Sequence, residues 1–86
     1  MNDDQKELFY LLCAILENSY PAVPSYEELS ALWENSNAAQ SRYMVHLFER
    51  HKLLSTVKFK GRSMVLTNEG RDLWRKYKLE NIIGDL

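Results

Sequence analysis

Residues 36–67, SNAAQSRYMVHLFERHKLLSTVKFKGRSMVLT, decide how this chain is read. At about 100° per residue, Ser41, Met44, Val45 and Phe48 gather on one side of a helix running from Asn37 to His51. Ala39, Tyr43, His46 and Arg50 then fall on the opposite side, flanked by Gln40, Arg42 and Leu47. Asn37, or Ser36 before it, is of a type that caps helices, and Gln40 stands at capping-box spacing from Asn37. Beyond Lys52-Leu53-Leu54 the apolar period shifts towards two, which predicts a short β-hairpin, Leu54 to Phe59 and Arg62 to Thr67, folded over Lys60-Gly61. Gly61 is expected to supply the positive φ of the turn, with Met64 and Leu66 inward and Ser63 and Val65 outward.

On the N-terminal side, Glu34-Asn35-Ser36 reads as a tight turn and Ser25-Tyr-Glu-Glu28 as a capping box opening a helix to about Trp33. Tyr26, Leu29 and Trp33 share one side of that helix, with Leu32 adjacent and the small Ser30 where two helices would approach. Before it, Tyr20-Pro-Ala-Val-Pro24 is a stiff connector, because each Pro restricts its own φ and pushes the preceding residue out of the helical region. The first helix is expected from about Gln5 to Asn18, with Asp4 and Glu7 at its cap and Leu8, Phe9, Leu12, Ile15 and Leu16 as its apolar stripe. Tyr10 and Ala14 fall on its other face, with Leu11 at one flank. On the C-terminal side, Thr67 or Asn68 is expected to cap a last helix over about 68–81 whose buried side is Gly70, Leu73, Trp74 and Tyr77.

With 86 residues, the chain is expected to form a single domain, 1–86, around one core. No apolar run approaches the roughly 20 residues of a membrane span, and the acidic start, Met-Asn-Asp-Asp-Gln-Lys-Glu, is unlike a secretion signal, so a cytoplasmic protein without a membrane partner is expected. Cys13 is the single cysteine and is read as a partly buried thiol; with two His besides, a structural zinc site lacks ligands. No phosphate-binding Gly loop, nucleophile triad or metal-ligand spacing occurs, so neither an enzyme nor a cofactor is expected.

The net charge of −1 conceals an asymmetry: residues 1–35 hold one Lys against seven acids, whereas 36–62 hold six Lys or Arg against Glu49 alone. A helix delivered by a short turn, followed by a hairpin with cations at its tip, makes an α+β, mostly α fold: three helices, a two-stranded wing and a C-terminal helix.

Three segments carry a resemblance to winged helix-turn-helix domains, closest to MarR-like and PadR-like regulators. They are Tyr26-Glu-Glu-Leu-Ser-Ala-Leu, Val45-His-Leu-Phe-Glu-Arg-His-Lys-Leu-Leu and Val65-Leu-Thr-Asn-Glu-Gly-Arg, which together span about Ser25 to Tyr77. Ser36-Asn-Ala-Ala is similar, less closely, to the start of the reading helix in LexA-type domains. The resemblance implies a helix-turn-helix over about 25–52, a wing over about 54–67, and a bacterial or phage transcriptional regulator that binds double-stranded DNA as a homodimer. Lys58, Lys60 and Arg62 on the wing would meet phosphates, while Asn37, Gln40, Arg42, Tyr43, His46 and Arg50 would face the groove. Tyr10, Leu11, Leu79, Ile82 and Ile83 are the expected dimer surface. The alternatives are a protein-interaction adaptor, docking a basic partner on the acidic 1–35 segment, and an accessory DNA-binding factor in phage replication or excision.

Overall fold

The described residues are 1–33, 37–57 and 61–84 of a computed structural model, with side chains described through residue 81. They form an α+β, mostly helical fold in the order α1 (Asp3–Ser19), α2 (Tyr26–Leu32), α3 (Ala38–Arg50), β1 (Leu54–Ser55), β2 (Val65–Leu66) and α4 (Asn68–Gly84). Among them no helix is long and apolar enough to cross a membrane. The turn expected at 34–36 and the hairpin residues Lys58, Phe59 and Lys60 lie outside the described set.

α1 begins earlier than its apolar stripe suggests, because Asn2 rather than Asp4 caps it. The Gln5 amide donates to Asn2 Oδ1 at 2.8 Å, and the Asn2 amide donates back to Gln5 Oε1 at 3.0 Å. Asp3 and Asp4 consequently occupy the first turn, where carboxylates oppose the positive end of the helix dipole. Phe9, Leu12, Cys13 and Ile15 are buried, and Phe9 meets Phe48 of α3 edge-on at 5.3 Å between ring centroids. Tyr10 does not stand on a bare face: it stacks on Tyr77 of α4 at 3.9 Å and 14° and lies 6.4 Å from Trp74.

α2 is capped by Ser25, whose Oγ accepts from the Glu28 amide at 3.2 Å. The reciprocal half of the expected capping box is altered, since the Glu28 carboxylate takes the Ser25 hydroxyl and the Arg62 guanidinium instead of the cap amide. Trp33 leaves helical geometry and turns into the core, while Leu32 remains exposed.

α3 starts as expected and ends at Arg50, with His51 as its C-cap. The Asn37–Gln40 capping box is complete, with distances of 3.0 and 2.9 Å. At the other end Lys52 adopts φ 60°, the Lys52 amide bonds the Glu49 carbonyl, and the Leu53 amide bonds the Phe48 carbonyl, which together make a Schellman turn with Lys in the place that favours Gly. Ser41, Val45 and Phe48 are fully buried as the helical wheel indicates. Leu47, expected on the solvent flank, is buried instead, one turn from the helix end.

The hairpin is shorter than its alternation suggests. β1 and β2 pair antiparallel with Leu54 opposite Leu66 and Ser55 opposite Val65. Continuing that register would set Val57 against Ser63, but the Ser63 hydroxyl takes the Val57 amide at 2.9 Å, so a side chain replaces the ladder bond and the sheet stops. Val57, part of the expected alternation, is exposed. Gly61 is not at positive φ: Arg62 carries the left-handed conformation instead, at φ 58°.

Thr67 caps α4. Its Oγ1 accepts from the Gly70 amide at 3.1 Å and donates to the Lys52 carbonyl at 2.6 Å, while its own amide donates to the Leu53 carbonyl at 3.1 Å. One residue thus ties the end of α3 to the start of α4. The carbonyl of Leu53 lies so near Gly70 that a Cβ there would fall 2.1 Å from it. Gly at 70 is therefore a requirement of close backbone approach.

Candidate nucleic-acid interface

Of the six cations in 36–62, Arg42 and Arg50 lie on the exposed face of α3 and Lys52 just past its end. Ala39, Gln40, Arg42, Tyr43, His46 and Arg50 are all exposed, with 59% of the Tyr43 surface accessible. The helix is held to present that face on its inner side by α2 and Phe9 and at its C-terminus by the Thr67 bonds, while the Asn37–Gln40 box caps its own first turn. His51 and Lys52 extend the exposed basic surface past the last turn.

The six expected groove-facing residues do not present equally free chemistry. The side-chain oxygens of Asn37 and Gln40 are occupied in the cap, so a bidentate contact of either amide with adenine would break that box. The Arg42 guanidinium lies 5.1 Å over the Tyr26 ring, which pre-orients it beside α2. Burial, then the nearby Glu49 carboxylate, raises the pKa of the Tyr26 phenol, so it stays protonated beneath that cation. His46 Nδ1 is 3.1 Å from Glu49 Oε1, which engages the acid of the basic segment. Tyr43 and Arg50 make no such contact with the described residues, and Arg50 adds its charge to the negative end of the α3 dipole.

Arg62 departs most from expectation. Expected as a wing cation open to phosphate, it has its guanidinium paired with the Glu28 carboxylate and donating to the Val23 carbonyl at 3.0 Å. Its left-handed backbone directs it back onto α2 and the connector. Arg62, foremost by its hydrogen bond, holds the Glu28 carboxyl below the usual carboxylate range. Lys58 and Lys60, the other expected wing cations, lie outside the described residues.

Neither protein-family models nor curated proteins give a match to this chain. The site therefore rests on residue chemistry. Among the described residues no cluster of His, Cys, Asp or Glu is arranged to hold a metal ion.

Of the residues expected to form a dimer surface, Leu11 and Leu79 are exposed, Leu79 by 55%, whereas Tyr10 is taken up in the stack with Tyr77 and Trp74. The side chains of Ile82 and Ile83 lie outside the described set. Sequence reasoning missed the Glu28–Arg62 pair, whose partners are 34 positions apart. It also missed the Thr67 tie, for which the signal was present as Thr67 and Gly70 beside a helix start.

Proposed function

We propose that this chain is a winged helix-turn-helix domain that binds double-stranded DNA with sequence preference, as a MarR- or PadR-like transcriptional regulator of bacterial or phage type. α3 is the reading helix and enters the major groove; the hairpin is the wing and lies along phosphates. The observation that carries this reading is the exposed row of Tyr43, His46 and Arg50 on a helix packed against α2 and tied at its C-terminal end to the start of α4. Bracing matters because base contacts discriminate only when the donors are held in register with the groove. Arg50 is assigned to base or phosphate contact, its fork making no ion pair among the described residues, and Arg42 to the flank nearer α2. Gln40 serves primarily as a cap.

Leu11 and Leu79, exposed on α1 and α4, are the basis for a homodimer, which would set two copies of α3 about 34 Å apart on an inverted repeat. Selection of duplexes from a random library by the purified protein, with its solution mass measured alongside, tests both parts. An enriched inverted repeat and a mass twice that of the chain are the expected results. Arg50→Ala should then weaken the preferred duplex by about 10-fold or more, and random duplex by less. Loss of salt dependence, or no retained duplex at all, refutes the reading.

A second reading, a protein-interaction adaptor, draws on one specific observation. Glu28 pairs with Arg62 and Glu17 with Lys78, while Asp3, Asp4, Glu7 and Glu27 remain exposed on the acidic first segment. A basic protein retained by this chain in the absence of duplex binding would favour it.

A further inference from the structure

We propose that Glu49 is a positioning residue for His46: it fixes the imidazole as a hydrogen-bond acceptor, so that His46 selects a base carrying an exocyclic amine, adenine or cytosine, on the strand it faces. This rests on the reading of α3 as the helix in the major groove, and it names what one side chain of that helix discriminates. His46 lies one turn from both Tyr43 and Arg50 on the exposed face, and its side chain is 58% accessible. Its Nδ1 is 3.1 Å from Glu49 Oε1, at the i, i+3 spacing that brings helical side chains together. Glu49 is the more sheltered partner, 28% accessible, and its charge reaches the Tyr26 phenol of α2.

An ionised carboxylate only accepts hydrogen bonds, so the proton between the two groups belongs to Nδ1. A neutral imidazole carries one N–H, and Nε2 is then left with its lone pair. The two ring nitrogens point apart, which directs Nε2 away from Glu49, the sheltered side of the pair. A lone pair there cannot bond a phosphate oxygen, itself an acceptor, and this separates His46 from Arg50, whose guanidinium only donates. Along the major-groove edge it meets donors at adenine N6 and cytosine N4, and acceptors at guanine N7 and O6 and at thymine O4. Facing an acceptor, it would leave two desolvated lone pairs with no proton between them, which costs more than a made bond contributes. In every base pair one base carries the amine and the other the keto oxygen, so the selection is of which strand carries which. The other charged side chains on this face of α3, Arg42 and Arg50, are donors and offer Nδ1 no second acceptor.

Two measurements on the full chain at pH 8, well above the roughly 6.5 of a free imidazole, test the proposal. Ring-nitrogen NMR shifts of the protein without DNA, with His46 assigned by its loss in His46→Lys, should show the Nδ1–H tautomer. In Glu49→Gln, whose amide can donate or accept, the two tautomers should mix. Selection from a random duplex library should give one position at which adenine or cytosine is favoured about 10-fold over guanine or thymine. Glu49→Gln should bring that preference near parity while the other positions keep theirs. His46→Lys, which can only donate, should reverse it towards guanine or thymine, and at an exposed position it carries the test by itself should Glu49→Gln fail to fold. An Nε2–H tautomer in the parent, a preference that survives Glu49→Gln, or one that His46→Lys leaves in place overturns the proposal and leaves α3 as the reading helix. No retained duplex overturns both.

Discussion

Replacing Gly70 by Ala tests the packing that holds α3 in place. Helix propensity alone favours the substitution by at most about 1 kcal/mol, the value for a helix interior, since Gly70 lies in the first turn of α4. Tertiary structure opposes it, because the new Cβ would lie 2.1 Å from the Leu53 carbonyl oxygen and 3.0 Å from its carbon. Ordinary C···O approach is about 3.3 Å or more, so α4 and Leu53 must separate by roughly 1 Å, and both neighbours are backbone. That movement pulls on the Thr67 amide to Leu53 carbonyl bond at 3.1 Å and the Thr67 hydroxyl to Lys52 carbonyl bond at 2.6 Å. Two hydrogen bonds at about 1 kcal/mol each and overpacking strain of about 1–3 kcal/mol outweigh the propensity gain. The net expectation is a loss of about 2–4 kcal/mol, or on the order of 10–30 °C in Tm for a domain of this size. Urea and thermal unfolding followed by far-UV circular dichroism measure it. Gly61→Ala is the control: its added Cβ meets nothing within 4 Å and its φ is not positive, so it should stay within about 0.5 kcal/mol of the parent. A Gly70→Ala protein as stable as the parent, or more so, would refute the close approach and the bracing of α3 inferred from it.

Lys52→Gly should stabilise the chain by about 0.5–1 kcal/mol, since Lys52 sits at φ 60° in the Schellman turn that ends α3; unchanged or lower stability in urea would show that this turn is not formed. Ser41 is fully buried, and its hydroxyl has no hydrogen-bond partner among the described residues. Ser41→Ala should therefore raise stability by about 1 kcal/mol, and a loss of similar size would mean that the hydroxyl is satisfied. The Cys13 thiol is held protonated, mainly by burial and then by the Glu17 carboxylate, with its pKa raised to about 12. An acid whose folded pKa lies above its unfolded value contributes its full stability below the unfolded value, and loses it as pH climbs from there towards the folded one. Unfolding free energy should thus decline from about pH 9 upward. Modification of Cys13 by a thiol reagent at pH 8 should also be at least about 100-fold slower in the native than the unfolded chain, and a comparable rate would contradict its burial.

Much of the local structure was legible. The 3.6-residue spacing of Ser41, Val45 and Phe48 identified the inner side of α3, and the exposure of Tyr43, His46 and Arg50 follows from the same geometry. Asn37 with Gln40, and Ser25, were readable as caps because their hydrogen bonds reach only three residues along the chain. Asn2 with Gln5 has that spacing too, one turn ahead of the Asp4–Glu7 pair expected at the cap.

What sequence by itself determined is therefore the set of helices, their buried stripes, and the excess of positive charge in 36–62, all properties of neighbours within one or two turns. Tertiary structure alone decided which of those charges stay open. Arg62 is withdrawn onto Glu28 and Val23, Gly70 admits the Leu53 carbonyl, Tyr10 is covered by Tyr77, and the ladder stops where Ser63 takes the Val57 amide. Apart from the last, each of these depends on groups separated by many residues and brought within a few ångströms only when α1, α2 and α4 close around α3. Local periodicity carries no information about such distances, and they are what make one cation a possible DNA contact and another a structural brace.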